Sequence, residues 1–290
     1  MLRPRRRRRR GLRRTPRLKG LSFGKLIPNI ITVSAAGAGL TAIRFAFEGR
    51  VDFAVTALIV AAILDALDGR MARILNASSE FGAQLDSLSD VVSFGVAPAL
   101  VLYFWSLQEA GGVGWGIALF FVVCCALRLA RFNSMLGKLP PYAFNYFTGV
   151  PAPAGALMAI LPIVIALAFG IDGIAHPAIT GVWMTAMAIL MVSRVPTFSF
   201  KRLKVPQRFV LPLLVTIGLS LAGLVSHPWL TLTIAAFLYL ATIPFAVRSF
   251  HHLKAEAERM HAGGENDAST DEDTGEDDDE SDDTPRLRSI

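Results

Sequence analysis

The chain has 290 residues, 53% of them hydrophobic, and a formal net charge of +6. A mean hydropathy of +0.48, with few polar faces to match, excludes an ordinary soluble domain and indicates a polytopic α-helical membrane protein. Its two cysteines, Cys124 and Cys125, are adjacent in an apolar run, which excludes a disulfide framework or a spaced zinc site and makes them small buried hydrophobes.

The first twenty residues hold ten arginines and one lysine. Charge this dense cannot bury enough apolar surface to fold alone, so residues 1–24 are expected to form a largely disordered cytoplasmic tail. Beside a membrane helix such a tail attracts anionic headgroups and fixes orientation; nucleic acid is not expected as a partner. A cleaved leader is not expected either, because the apolar stretch that follows is long enough to span and a second comes at once.

Apolar runs then fall near 27–47, 51–75, 85–105, 114–132, 151–170, 177–193, 209–226 and 229–247. A crossing takes about 20 apolar residues. The sixth run is short and the last two are close together, so the fold class expected is an all-α transmembrane bundle of six to eight spans over residues 25–250. Internal repeats are not evident. Beyond 250 the chain turns acidic, and residues 261–290 hold twelve of the 23 carboxylate residues; 251–290 reads as a second disordered tail. With the N-terminus inside, inner segments carry Arg70, Arg73, Arg128, Arg131, Lys138, the basic stretch 193–208, Arg248 and Lys254, whereas the outer loops offer only Arg50. That asymmetry places both termini in the cytoplasm, and it argues against glycosylation at Asn76-Ala77-Ser78.

Within residues 61–100, four aspartates interrupt the second and third runs. An aspartate at the centre of a spanning helix costs roughly 2.5–3.5 kcal/mol on insertion scales, so each needs compensation. Asp65 and Asp68 are three residues apart and Asp86 and Asp90 four, which puts each pair on one face of its helix. A short turn around Asn76–Gly82 makes the two helices an antiparallel hairpin, so the acidic faces converge at the inner membrane surface. Four carboxylates so placed repel one another, and one or two divalent cations remove the conflict. All-oxygen ligation suits Mg²⁺ or Mn²⁺. Gly69 and Gly82 clear side chains where backbone and ligand approach closely, and Arg70 and Arg73 bring positive charge suited to a phosphate.

The run D-x2-D-G-x2-A-R-x8-G-x3-D-x3-D, filled here by Asp65, Asp68, Gly69, Ala72, Arg73, Gly82, Asp86 and Asp90, resembles the signature of the CDP-alcohol phosphatidyltransferase family. The stretches IPNIIT (27–32), LDSLSDVVSFGVAPA (85–99), LRLARFN (127–133), FTGVPAPAGA (147–156) and VPTFSF (195–200) are most similar to its membrane-integral bacterial members that use serine. The resemblance implies transfer of a phosphatidyl group from CDP-diacylglycerol to L-serine, with release of CMP, in a helical bundle that is usually dimeric and opens to the cytoplasm at the inner membrane. It further implies that Asp65, Asp68 and Asp86 are the main metal ligands, and that Asp90 completes a second metal position and takes the acceptor's proton. It makes Gly69, Ala72 and Arg73, with Gly82, contacts of the nucleotide and diphosphate, and sets Asn29 and Thr32 against the cytidine.

A zwitterionic acceptor needs a cation for its carboxylate. Arg128 and Arg131 end the fourth span on the cytoplasmic side, with Asn133 beside them, and are the candidate acceptor contacts. Two other readings compete. A transferase of the same family could use glycerol 3-phosphate or inositol phosphate, since the aspartates serve the shared half of the reaction. A cation transporter could use intramembrane acids as ion ligands, but here they cluster at one surface. A synthase built on paired H-x-K-x4-D motifs is excluded, because Arg259 stands where His252-Leu253-Lys254 would need an aspartate.

Overall fold

The computed structural model describes residues 23–77, 79–135, 146–193, 196–198, 207 and 210–242. The charged tails lie outside these residues, apart from Phe23 and Gly24. Helix α1 (Phe23–Phe47) and helix α2 (Val51–Ile74) form a tight antiparallel hairpin. Its turn uses the left-handed backbone of Gly49, at φ 75°. There the Gly49 and Arg50 amides donate to the carbonyls of Ala46 and Phe45 at 3.0 and 2.8 Å, closing the end of α1.

On α1 a stripe of small residues, Ala35, Gly39, Ala42 and Ala46, is buried, so neighbouring backbones approach closely. On α2 the inward stripe starts as Ala54, Leu58 and Ala61 and continues at the same helical spacing to Asp65 and Asp68. The apolar core face of α2 thus becomes acidic over its last turns. Asn76 ends α2 with a positive φ of 48°, and the amides of Asn76 and Ala77 bond back to Arg73 and Ala72.

Helix α3 (Glu80–Asp90), a π-helical stretch (Val91–Val96) and helix α4 (Ala97–Trp105) run on as one 26-residue element, Glu80–Trp105. The π stretch, which departs from the regular helix expected over 85–105, packs on α1 and helix α5 (Gly111–Met135). Ser89 and Ser93 donate to the α1 carbonyls of Thr32 and Ala35 at 3.0 and 3.2 Å. At Gly39 a Cβ would sit 3.0 Å from Ser93 Cα, so glycine permits this approach.

The run expected as one span over 151–170 is broken into helices α6 (Ala152–Ala159) and α7 (Leu161–Phe169), bent by 43°. Pro162 has no amide to give the Met158 carbonyl, and the Trp183 indole N–H fills that role at 2.8 Å. Helix α8 (Pro177–Val192), helix α9 (Val210–Ser226) and helix α10 (Pro228–Thr242) complete the described helices. Strands β1 (Tyr146–Thr148) and β2 (Pro196–Phe198) add a short antiparallel ribbon pairing Phe147 with Thr197. It joins two of the stretches that carried the resemblance, and periodicity over three residues gives no sign of it.

The core gathers Phe94, Leu102, Phe121, Ile163, Met184 and Met191, all fully buried. Among the described residues, three helical elements are long and apolar enough to cross a membrane, or four if the bent α6–α7 pair is one span. Helix α2 has comparable length but carries Asp52, Asp65, Asp68, Arg70 and Arg73.

Candidate metal and substrate site

The α2–α3 hairpin assembles the acids. Ser79 caps α3: its hydroxyl accepts the Gly82 amide at 3.0 Å, and Glu80 sits in the first turn, where the helix dipole favours a negative charge. This start sets the register that turns Asp86 and Asp90 toward α2. Carboxylate oxygens of Asp65, Asp68 and Asp86 lie within 4.8 Å of one another, and Asp90 reaches Asp65. The four acids of the motif are therefore brought together.

Asp68 is only 4% exposed. Its Oδ2 and the Oδ1 of Asp90 are buried without a hydrogen-bond partner among the described residues. An ionised oxygen left so is costly unless a cation or donor meets it. Convergent carboxylate oxygens, two of them unanswered, fit a hard divalent cation, so the three clustered acids could hold a metal ion.

Beside them opens a cavity of about 510 Å³ between α1, α2 and α3. Asn29, Thr32, Gly69, Ala72 and Gly82, all expected near the nucleotide or diphosphate, line it together with Asp68 and Asp86. Gly82 is where a side chain would intrude, since a Cβ would lie 3.1 Å from both Asn29 Oδ1 and Ser79 Oγ. Gly69 has nothing within 4 Å of a Cβ position, leaving bare backbone at the cavity wall. Arg73 is exposed outside the lining, with its Nε–H on the Gly69 carbonyl at 3.0 Å. Sequence reasoning missed Ser79, Ala77 and Ala83 in the lining. For Ser79 a signal existed, a serine immediately before a helix start; the alanines carry none.

The three candidate acceptor residues separate by environment. Arg128 is 8% exposed, rests over the Phe132 ring at 5.6 Å and interacts electrostatically with Asp90. Arg131 turns to α8, its Nη1 and Nη2 donating to the carbonyls of Val192 and Ser193 at 3.0 and 3.2 Å. Asn133 donates to Ser87 Oγ at 2.9 Å, tying α5 to α3 next to Asp86.

Known proteins share this sequence widely. The chain is 41% identical over 236 residues to the CDP-diacylglycerol–serine O-phosphatidyltransferase of Mycobacterium tuberculosis, covering 81% of this chain and 82% of that protein. The enzyme of the same name from Mycobacterium leprae is 40% identical over 81% of this chain and 78% of its own. That from Bacillus subtilis is 34% identical over 61% of this chain and 92% of its own. A family description, CDP-alcohol phosphatidyltransferase, matches residues 25–257. With the motif's acids converging beside an open cavity and most of the sequence matched, the chain belongs to the CDP-alcohol phosphatidyltransferase family.

Proposed function

We propose that this protein is an integral membrane enzyme of phospholipid biosynthesis that transfers a phosphatidyl group from CDP-diacylglycerol to L-serine. The convergence of Asp65, Asp68 and Asp86 within 4.8 Å at the edge of the cavity carries the chemistry. The 41% identity to a serine-using enzyme over most of the chain carries the choice of acceptor.

In the reaction the serine hydroxyl oxygen bonds to the phosphatidyl phosphorus. The phosphoanhydride bond breaks, CMP leaves with the bridging oxygen, and the hydroxyl proton is released. Asp65, Asp68, Asp86 and Asp90 would hold Mg²⁺ or Mn²⁺, which would stabilise negative charge on the phosphoryl oxygens. Asn29 and Thr32 lie against the cytidine, while Gly69, Ala72 and Gly82 leave room for the diphosphate. Arg73, at the rim, offers it positive charge. Asp90 accepts the proton as the hydroxyl commits to attack. Arg128 meets the serine carboxylate, and Arg131 and Asn133 flank it.

The same reading gives a multi-pass enzyme of the inner membrane with residues 25–250 as its catalytic domain. Its six to eight spans follow the apolar runs, and its cytoplasmic charged tails and cytoplasm-facing site are supported by the arginine asymmetry. A homodimer is supported by the outward face of α1, where Ser34 and Gly37 are exposed and small enough for close helix packing.

The test is CMP release from CDP-diacylglycerol by the purified protein. Release is expected to require both L-serine and Mn²⁺ or Mg²⁺, and to fall at least about a thousandfold in Asp86→Asn, consistent with loss of several kcal/mol of electrostatic stabilisation. Release driven by glycerol 3-phosphate or inositol phosphate instead would move the acceptor. No release with any alcohol would favour ion transport.

A further inference from the structure

Beyond the metal-binding cluster lies a half-buried tyrosine that nothing in the motif accounts for. Tyr239, on α10, lines an apolar cavity of about 720 Å³ together with Val55, Ile59, Leu161 and Ala236. Its hydroxyl is buried with no hydrogen-bond partner among the described residues. A phenylalanine would fill the ring's place without burying an unpaired donor, so the hydroxyl needs another explanation. Arg128 supplies the direction. This buried arginine interacts electrostatically with both Tyr239 on α10 and Asp90 on α3, and its guanidinium lies over the Phe132 ring at 5.6 Å. Asp90 Oδ1 is likewise buried and unanswered. Three helices thus bring a cation, a hydroxyl donor and a carboxylate into one polar neighbourhood, apart from the nucleotide cavity between α1, α2 and α3.

We propose that Tyr239 is an acceptor-recognition residue: its hydroxyl and the Arg128 guanidinium together receive the α-carboxylate of the amino-acid acceptor and aim the acceptor hydroxyl toward Asp90. A carboxylate accepts from both groups at once, and charge-assisted hydrogen bonds of this kind are strong where water is excluded. The inference rests on serine as the acceptor. It adds α10 to the site and assigns selection to a carboxylate contact.

The experiment compares the full-length wild-type protein with Tyr239→Phe, using L-serine and serinol, which keeps the amine and hydroxyl but lacks the carboxylate. Tyr239→Phe is expected to raise the KM for serine roughly ten- to a hundredfold, the size of one hydrogen bond to a charged group. The KM for CDP-diacylglycerol and the turnover of serinol should stay within about twofold, the precision of such a comparison. The thermal shift on adding CDP-diacylglycerol with Mn²⁺ should also be unchanged, which separates recognition from a merely structural role. Equal losses with serine and serinol, or an unchanged serine KM, would overturn the assignment. Wild-type release that ignores serine would overturn the proposed reaction as well, whereas serine-dependent release unaffected by Tyr239→Phe would overturn this inference alone.

Discussion

At Gly82 one hydrogen atom separates an open cavity from a crowded one. A methyl group there would meet Asn29 Oδ1 and Ser79 Oγ at 3.1 Å, closer than relaxed contacts. Both neighbours are side-chain tips, so the fold can adjust at a cost of about 1 kcal/mol, the low end for an overpacked methyl. The penalty should fall on substrate, because Asn29 is the group displaced and it lines the cavity. Gly82→Ala is therefore expected to raise the KM for CDP-diacylglycerol about fivefold, the equivalent of ~1 kcal/mol, with the serine KM and melting temperature nearly unchanged. A variant that melts early, or that binds CDP-diacylglycerol normally, would show that Gly82 serves helix packing alone. The position was legible in the sequence through its place in the spaced motif. Tyr239 was not, because it lies about 150 residues from Asp90 on a helix whose apolar pattern marks no inward face.

Among the elements, the α2–α3 hairpin was the most readable. Spacings of three and four residues fix a helical face, and a short turn fixes antiparallel packing, so the acids had to converge. How α5 meets the end of α8 was not readable, because Arg131 reaches the carbonyls of Val192 and Ser193 more than sixty residues on. Those carbonyls stand at the C-terminal end of α8, where a cationic side chain also suits the helix dipole. Arg131→Ala removes both of these donors, and a hydrogen bond from a charged group contributes about 1.5–3 kcal/mol. The expected result is a melting temperature lower by several degrees in detergent, with the spans still formed. An unchanged melting temperature would show that the α8 end is held by other means. The broken span at α6–α7 has a similar cause: hydropathy sees one continuous apolar run, while Pro162 removes an amide and Trp183, from a different helix, answers the freed carbonyl.

Across the whole molecule, one end of the bundle collects the chemistry. It contains the start of α1, the acidic end of α2, the start of α3, the end of α5 with Arg128 and Arg131, and the end of α8. The β1–β2 ribbon, which connects the approach to α6 with the exit from α8, belongs to the same end. Each helix up to α8, counting α6 and α7 together, therefore reverses direction relative to the last. If α9 and α10 continue that alternation, both termini lie with the site on the arginine-rich side. Helix α9 has no buried residue; Leu211 and Leu219 are 73% exposed and Val225 86%. A helix apolar on all sides needs lipid or a second chain around it. Yet its 17 residues span only about 26 Å at the α-helical rise, somewhat short of a hydrocarbon core of about 30 Å. The discriminating point is the turn between α9 and α10. Cys124 and Cys125 are buried, so a Ser226→Cys variant carries one accessible thiol among the described residues. A membrane-impermeant maleimide added to intact cells is expected to label that thiol from outside, with no further gain on lysis. Labelling that waits for lysis would mean that α9 and α10 dip into the membrane and return to the side they left, and the bundle would then have six crossings.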